Sequence, residues 1–167
     1  MKLFSANIEN LQSLYITSLK KALDMEEKIT QALPDMIDNS TDLELSDAFR
    51  THLGETQGHV AKIEAILNRL IGEPKTETNK AINGLTAEAA DTIKDVKDPT
   101  VRDIALICAA QEVEHHEIAL YGTLRRWAGL LGLNDDALVL EMIETEEINA
   151  DELLTDISSR VNLEAAA

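Results

Sequence analysis

The sequence predicts an all-α protein, a bundle of four long helices with one extended connection between its two halves. Three observations predict it. Apolar residues recur at helical spacing through four long segments. Only three prolines and seven glycines punctuate the 167 residues, too few for the many turns of an all-β fold. Aromatic residues are 3% of the chain, so its apolar content is mainly Leu, Ile, Ala and Val. The length suits one domain, expected over residues 1–162, with 163–167 a disordered tail or an appended remnant.

The first helix is expected from Asn7 to Ile37, with the inward stripe Leu11, Tyr15, Leu19, Ala22, Glu26, Ile29 and Leu33. Pro34 is placed to kink or end it. Asn39, Ser40, Thr41 and Asp42 form a polar turn that offers caps to the second helix, Leu43 to Ile71. Its stripe is Leu45, Ala48, His52, Glu55, His59, Ile63, Ile66 and Leu70, and Gly72 and Pro74 stop it. The connector Glu73 to Asp98 is too long for a hairpin turn and carries a shorter amphipathic helix, Thr86 to Val96.

Asp98 and Pro99 suit an N-cap and a first helical position, opening a third long helix that reaches Leu131. Its stripe is Ile104, Ile107, Gln111, Glu114, Ile118, Tyr121 and Leu124. Gly132 ends it, Asn134 caps the fourth, and that helix runs to Ser159 with Leu140, Glu144, Glu147, Asp151 and Leu154 inward. Short turns make each pair an antiparallel hairpin, and one long crossover joins the hairpins. Among bundles this is the ferritin-like arrangement.

Composition excludes several classes. A net charge of -16 opposes binding to nucleic acid or to an anionic membrane surface. The lone Cys108 rules out an intramolecular disulfide and a thiolate metal cluster. Residues Met1 to Asn10 lack a signal-peptide pattern, and the longest apolar run, Ile104 to Ala110, is far too short to span a bilayer. The protein is expected in the cytoplasm.

Each helix carries acid in the middle of its apolar stripe: Glu26, Glu55, Glu114 and Glu147, with His52, His59, Glu117, Glu144 and Asp151 nearby. A buried, unpaired carboxylate is costly, so one on every helix implies a shared cation. Glu26 and Glu55 lie about equally far from a first turn near Ser40, as Glu117 and Glu147 do from a second near Gly132. These four are expected to form one layer, since both helices of a hairpin rise alike. His59, Glu114 and Asp151 are expected in a second layer, and His52 and Glu144 in a third. Adjacent layers would hold two ions about 4 Å apart. Carboxylate and imidazole suit iron, manganese or zinc. The summed carboxylate charge is near that of two ferrous or two ferric ions, which favours a redox metal over structural zinc.

His115 and His116 point about 100° apart, so at most one can face the site. Tyr15 and Tyr121 are expected as core residues holding a hydrogen bond, Trp127 as packing at a bundle end or a dimer contact, and Cys108 as a small buried hydrophobe. Glu146 is expected in solvent.

The chain resembles the YciE/YciF family of ferritin-like proteins. The resemblance is carried by Met25-Glu26 through Ala32-Leu33-Pro34, by His52-Leu53-Gly54-Glu55-Thr56, and by Ala110-Gln111-Glu112-Val113-Glu114-His115 with Glu117-Ile118. Tyr121-Gly122-Thr123 and Glu146-Glu147 complete it, in order along almost the whole chain. It implies a di-iron site, a dimer and a place in bacterial stress responses. The implied ligands are Glu26, Glu55, Glu114, Glu117 and Glu147, with His52 or His59 adding nitrogen. The chain departs from the ferritin-like Glu-x-x-His pattern: Glu55 and His59 are four apart, Asp151 stands where histidine would, and His116 replaces an expected aromatic residue.

The expected function is therefore a protein holding two iron ions (manganese or zinc as alternatives) that oxidises ferrous iron or reduces oxygen or peroxide. Its expected partners are metal ions and a second copy of the chain. The alternative is a non-catalytic stress or interaction protein with a structural or vestigial metal site.

Overall fold

The computed structural model describes residues 8–165, and among these every regular element is a helix. Polar residues set where each begins. Asn10 accepts from the Ser13 amide while the Ser13 hydroxyl accepts from the Asn10 amide, and this capping box opens α1 (Leu11–Asn39). The expected start at Asn7 lies outside the described residues. Pro34 does not end α1: the helix continues to Asn39, its last turns held by the buried Leu33 and Met36.

Asp42 caps α2 (Leu43–Ile71) by accepting from the Leu45 amide, and Gly72, at φ 79°, closes it in the left-handed region. Helix α3 (Lys80–Asp95) starts six residues before the expected Thr86. Asn79 accepts from the amides of Ala81 and Ile82, and Ile82 is fully buried, which draws that first turn into the helix. Asp98 and Pro99 open α4 (Pro99–Leu130) as expected. Gly132, at φ 74°, turns the chain into α5 (Asn134–Ala165). Asn134 is its first helical residue rather than its cap, and the helix runs six residues beyond Ser159, leaving only Ala166 and Ala167 of the expected tail outside the described residues.

The two long hairpins, α1–α2 and α4–α5, point in opposite directions. At one end the Asp103 carboxylate on α4 accepts from the Thr41 amide, the Thr41 hydroxyl and the Asp42 amide in the α1–α2 turn. Arg160, late in α5, reaches Asp42 and Glu44 at the same end. At the other end Tyr15 of α1 donates to Asp136 of α5, which also pairs with Arg69 of α2. Helix α3 packs across α1 and α4.

Leu19, Leu23, Ile63, Ile66, Leu106, Leu124, Leu140 and Ile143 fill the core with at most 1% exposure. Each such side chain contributes about 1.5–3 kcal/mol on leaving water. No described helix is long and apolar enough to cross a membrane.

Candidate metal centre

Midway along the bundle the apolar core gives way to acid. Glu26 from α1, His52 and His59 from α2, Glu114 and Glu117 from α4, and Glu147 from α5 are all buried, four of them completely. They fall into two groups whose donor atoms lie within 4.8 Å of one another: His52, Glu114, Glu117 and Glu147, and then Glu26, His59 and Glu147. Glu147 belongs to both.

His52 Nε2 lies 3.2 Å from Glu114 and 3.8 Å from Glu147. His59 Nδ1 lies 2.9 Å from Glu147 and 3.6 Å from Glu26. These approaches are close but poorly aligned for hydrogen bonding. Nine buried nitrogen and oxygen atoms on the six side chains have no hydrogen-bond partner, including both oxygens of Glu117 and of Glu147. Elsewhere in proteins such atoms are nearly always satisfied. The Tyr121 hydroxyl donates to Glu26, and its ring meets His59 edge-on with centroids 6.4 Å apart.

The electrostatics match that deficit. Burial drives Glu114 and Glu117 well above the ordinary carboxylate range; the His52 cation opposes this at Glu114, whereas neighbouring carboxylates add to it at Glu117. Burial likewise raises Glu26, against the pull of His59. Burial works to lower both imidazoles, but the surrounding carboxylates outweigh it and lift His52 to about 9 and His59 to about 10. Without a metal, then, the cluster limits its charge by holding protons. A multivalent cation fits the same place: oxygen and nitrogen donors converge, no thiolate is present, and each proton held is one a metal would release.

Three of the expected residues sit differently. Glu55 is 37% exposed and reaches only the outer nitrogen of His52, at 3.7 Å. Glu144 turns to Arg125, 2.7 Å away, and occupies the space beside Gly122. Asp151 accepts from Gln111 and lies 3.3 Å from the exposed His115. His116 bonds Asn79 and thereby the start of α3.

The layering also differs from expectation. His59, Glu114 and Asp151 do not share a level. Because the hairpins are opposed, moving away from Gly132 along α4 and α5 moves toward the Ser40 end, which brings Glu114 beside His52. His59 lies on the other side of Glu147.

Sequence reasoning missed Glu146. Expected in solvent, it is half-buried, with an oxygen 2.6 Å from His59 Nε2 and 3.0 Å from Lys62. His59 and Lys62 outweigh its burial and hold its pKa below the usual value. A carboxylate behind an imidazole fixes the ring and leaves its other nitrogen free to coordinate. Lys62, one turn beyond His59, marked that flank in the sequence. Cys108, expected to be buried, is exposed. The stretch around it is apolar on every side, so periodicity there carried no phase.

The fold and the site together define a ferritin-like helical bundle with a buried Glu/His cluster able to hold metal. The chain belongs to the family described as a domain of unknown function, DUF892, whose profile matches residues 10–167. It is 35% identical to protein YciF of Escherichia coli K12 over 164 residues, 95% of this chain and 97% of that one. The crystal structure of the E. coli stress protein YciF superposes with a TM-score of 0.88 at 34% identity, covering 92% of this chain and 98% of that one. YcfI of Rhodopseudomonas palustris gives 0.87 at 37% identity over the same shares. A ferritin-like, diiron-carboxylate protein of Bacillus anthracis gives 0.70 at 18% identity, covering 90% and 99%, a likeness of fold.

Proposed function

We propose that this protein binds two iron ions between Glu26, His59 and Glu147 on one side and His52, Glu114, Glu117 and Glu147 on the other. In this reading it oxidises ferrous iron or reduces oxygen or peroxide as part of a bacterial stress response. The observation that carries this reading is the set of nine unpartnered donor atoms at full burial. The stress role rests on likeness to a relative described as a stress protein.

Bound iron would supply one-electron chemistry and a Lewis-acid site for the oxidant. The chain supplies the rest. Glu147 joins the two ligand groups. Glu146 orients His59 through Nε2, and Tyr121 holds one oxygen of Glu26 by donating to it. Leu19, Leu23, Ile63 and Leu124 exclude water from the bundle around the cluster. With one cysteine, the chain carries no thiolate cluster for electron delivery, so a separate reductant is part of the proposal. We further assign a two-fold dimer, the commonest homo-oligomer, for which the exposed Leu138 and Met142 on α5 offer a face.

A second reading is a non-catalytic protein with a structural metal, in keeping with a relative described only as a candidate structural protein. Anaerobic ferrous titration followed by elemental analysis tests the first. About two iron ions per chain are expected in the wild type, few in Glu147→Ala, which removes the ligand common to both groups, and an intermediate number in Glu55→Ala. Fewer than about half an ion per chain in the wild type sinks the reading. Iron that is bound but consumes neither oxygen nor peroxide, and whose removal collapses the melting temperature, establishes the second instead.

A further inference from the structure

A cavity of about 130 Å³ adjoins the cluster on the side toward the α1–α2 turn. Its walls come from all five helices and are mainly apolar, among them Leu33, Phe49, Val113 and Leu154. His52, Glu55 and Glu114 line it at the cluster end, and Met36 lines it at the other. The lining reaches the surface between α2 and α5 at the exposed Thr51, Asn149 and Leu153.

Helical bundles normally pack such space shut, because a void loses the contacts of every atom around it. Here the space follows from side-chain choice. Alanine stands at Ala32, Ala48, Ala89, Ala109, Ala110 and Ala150, positions on the cavity wall where a longer aliphatic side chain would fill it. A mainly apolar space of this size accepts a guest about as large as benzene. The polar groups on its wall lie at the cluster end and at the opening, with Thr86 the one other hydroxyl.

We infer that this cavity binds a small uncharged apolar molecule, an aromatic ring or a short hydrocarbon chain, seated against His52 and Glu114. Binding needs only the cavity. Its meaning as the substrate pocket of the metal centre rests on the function proposed above. Entry between α2 and α5 brings the guest to the His52 group, with Glu146, which bonds His59, also on the wall.

Benzene titrated into the full-length metal-free protein, followed by nitrogen–proton correlation spectra, tests this directly. Saturable binding of one benzene per chain is expected, with the His52 imidazole resonances shifting and those of the exposed His115 unmoved. Ala110→Leu and Ala89→Leu fill the cavity from α4 and from α3, so either variant that folds should weaken binding at least tenfold. Both should keep the metal loading of the wild type. No saturable binding, binding that leaves His52 unmoved, or binding indifferent to both fillings overturns the inference. Ferrous titration of the same samples reads the metal reading separately: benzene bound by a protein that takes no iron upholds the cavity while removing the metal centre.

Discussion

Asp103 and Glu117 lie on the same helix, both almost without contact with solvent, at 2% and 0% exposure. Their surroundings are opposite. Asp103 accepts three hydrogen bonds from Thr41 and Asp42, which ties the start of α4 to the α1–α2 turn. Glu117 has no hydrogen-bond partner for either oxygen, and burial and the carboxylates of Glu147, Glu26 and Glu114 raise its pKa. Asp136 at the far end resembles Asp103, with Tyr15 and Arg69 upon it. A buried acid with its partners in place is part of the scaffold. One left without them, among others in the same state, is held ready for a cation by a fold stabilised elsewhere.

The contrast is broken or upheld most strongly by paired substitutions measured in metal-free protein. Asp103→Ala removes three bonds to a charged acceptor and strands the amides of the turn, so denaturant unfolding should show a loss of about 3 kcal/mol with metal loading preserved. Glu117→Gln should cost nothing, or stabilise by about 1 kcal/mol, because burial already keeps that carboxyl protonated in the metal-free protein and the amide is its neutral isostere, while metal loading falls. A loss at Glu117 equal to that at Asp103 would make Glu117 another scaffold acid.

Much of this was legible in the sequence, and the parts that were not have physical reasons. The long helices announce themselves through stripes such as Tyr15, Leu19, Ala22 and Glu26, where a single phase persists over many turns. The start of α3 was hidden because its signal is one side chain, Asn79, followed by a polar and glycine-containing turn. The acids on the stripes were visible as a set, but their levels were not. Spacing gives the distance of Glu114 from its own turn and is silent on which end of the bundle that turn occupies. The tie between Asp103 and Thr41 decides the matter, and it is a contact between residues 62 apart. Glu146 escaped because helix phase separates inward from outward and leaves the flanks undecided.

Glu146 offers a sharper version of the same contrast, since it is an acid whose partner is itself one of the proposed ligands. Glu146→Gln keeps the volume but weakens its hold on His59, so affinity for ferrous ion should fall about 10-fold to 100-fold in chelator competition. Folding stability should hardly change, because the residue is 32% exposed and its Lys62 pair is a surface one. Unchanged affinity would leave Glu146 as an ordinary surface acid.

The smallest effect belongs to Asp42, at the scaffold end, where the acid is both a cap and half of an ion pair. Its oxygens accept from Arg160 at 2.6 and 2.9 Å and from the Leu45 amide, and Arg160 is the main reason its pKa lies below the ordinary 3.8. A depressed folded-state pKa contributes stability that is fully present above the unfolded value and is lost as pH falls through the folded one. Asparagine is as good an N-cap as aspartate, so Asp42→Asn isolates the charge. With Arg160 41% exposed, the variant should be less stable by under about 1 kcal/mol at pH 7. That gap should hold down to about pH 4 and close below it, as the wild-type carboxyl takes up its proton. Urea unfolding of both proteins across that range measures the closure. A gap constant down to about pH 2 would mean the cap geometry, and not the charge, joins α5 to this turn.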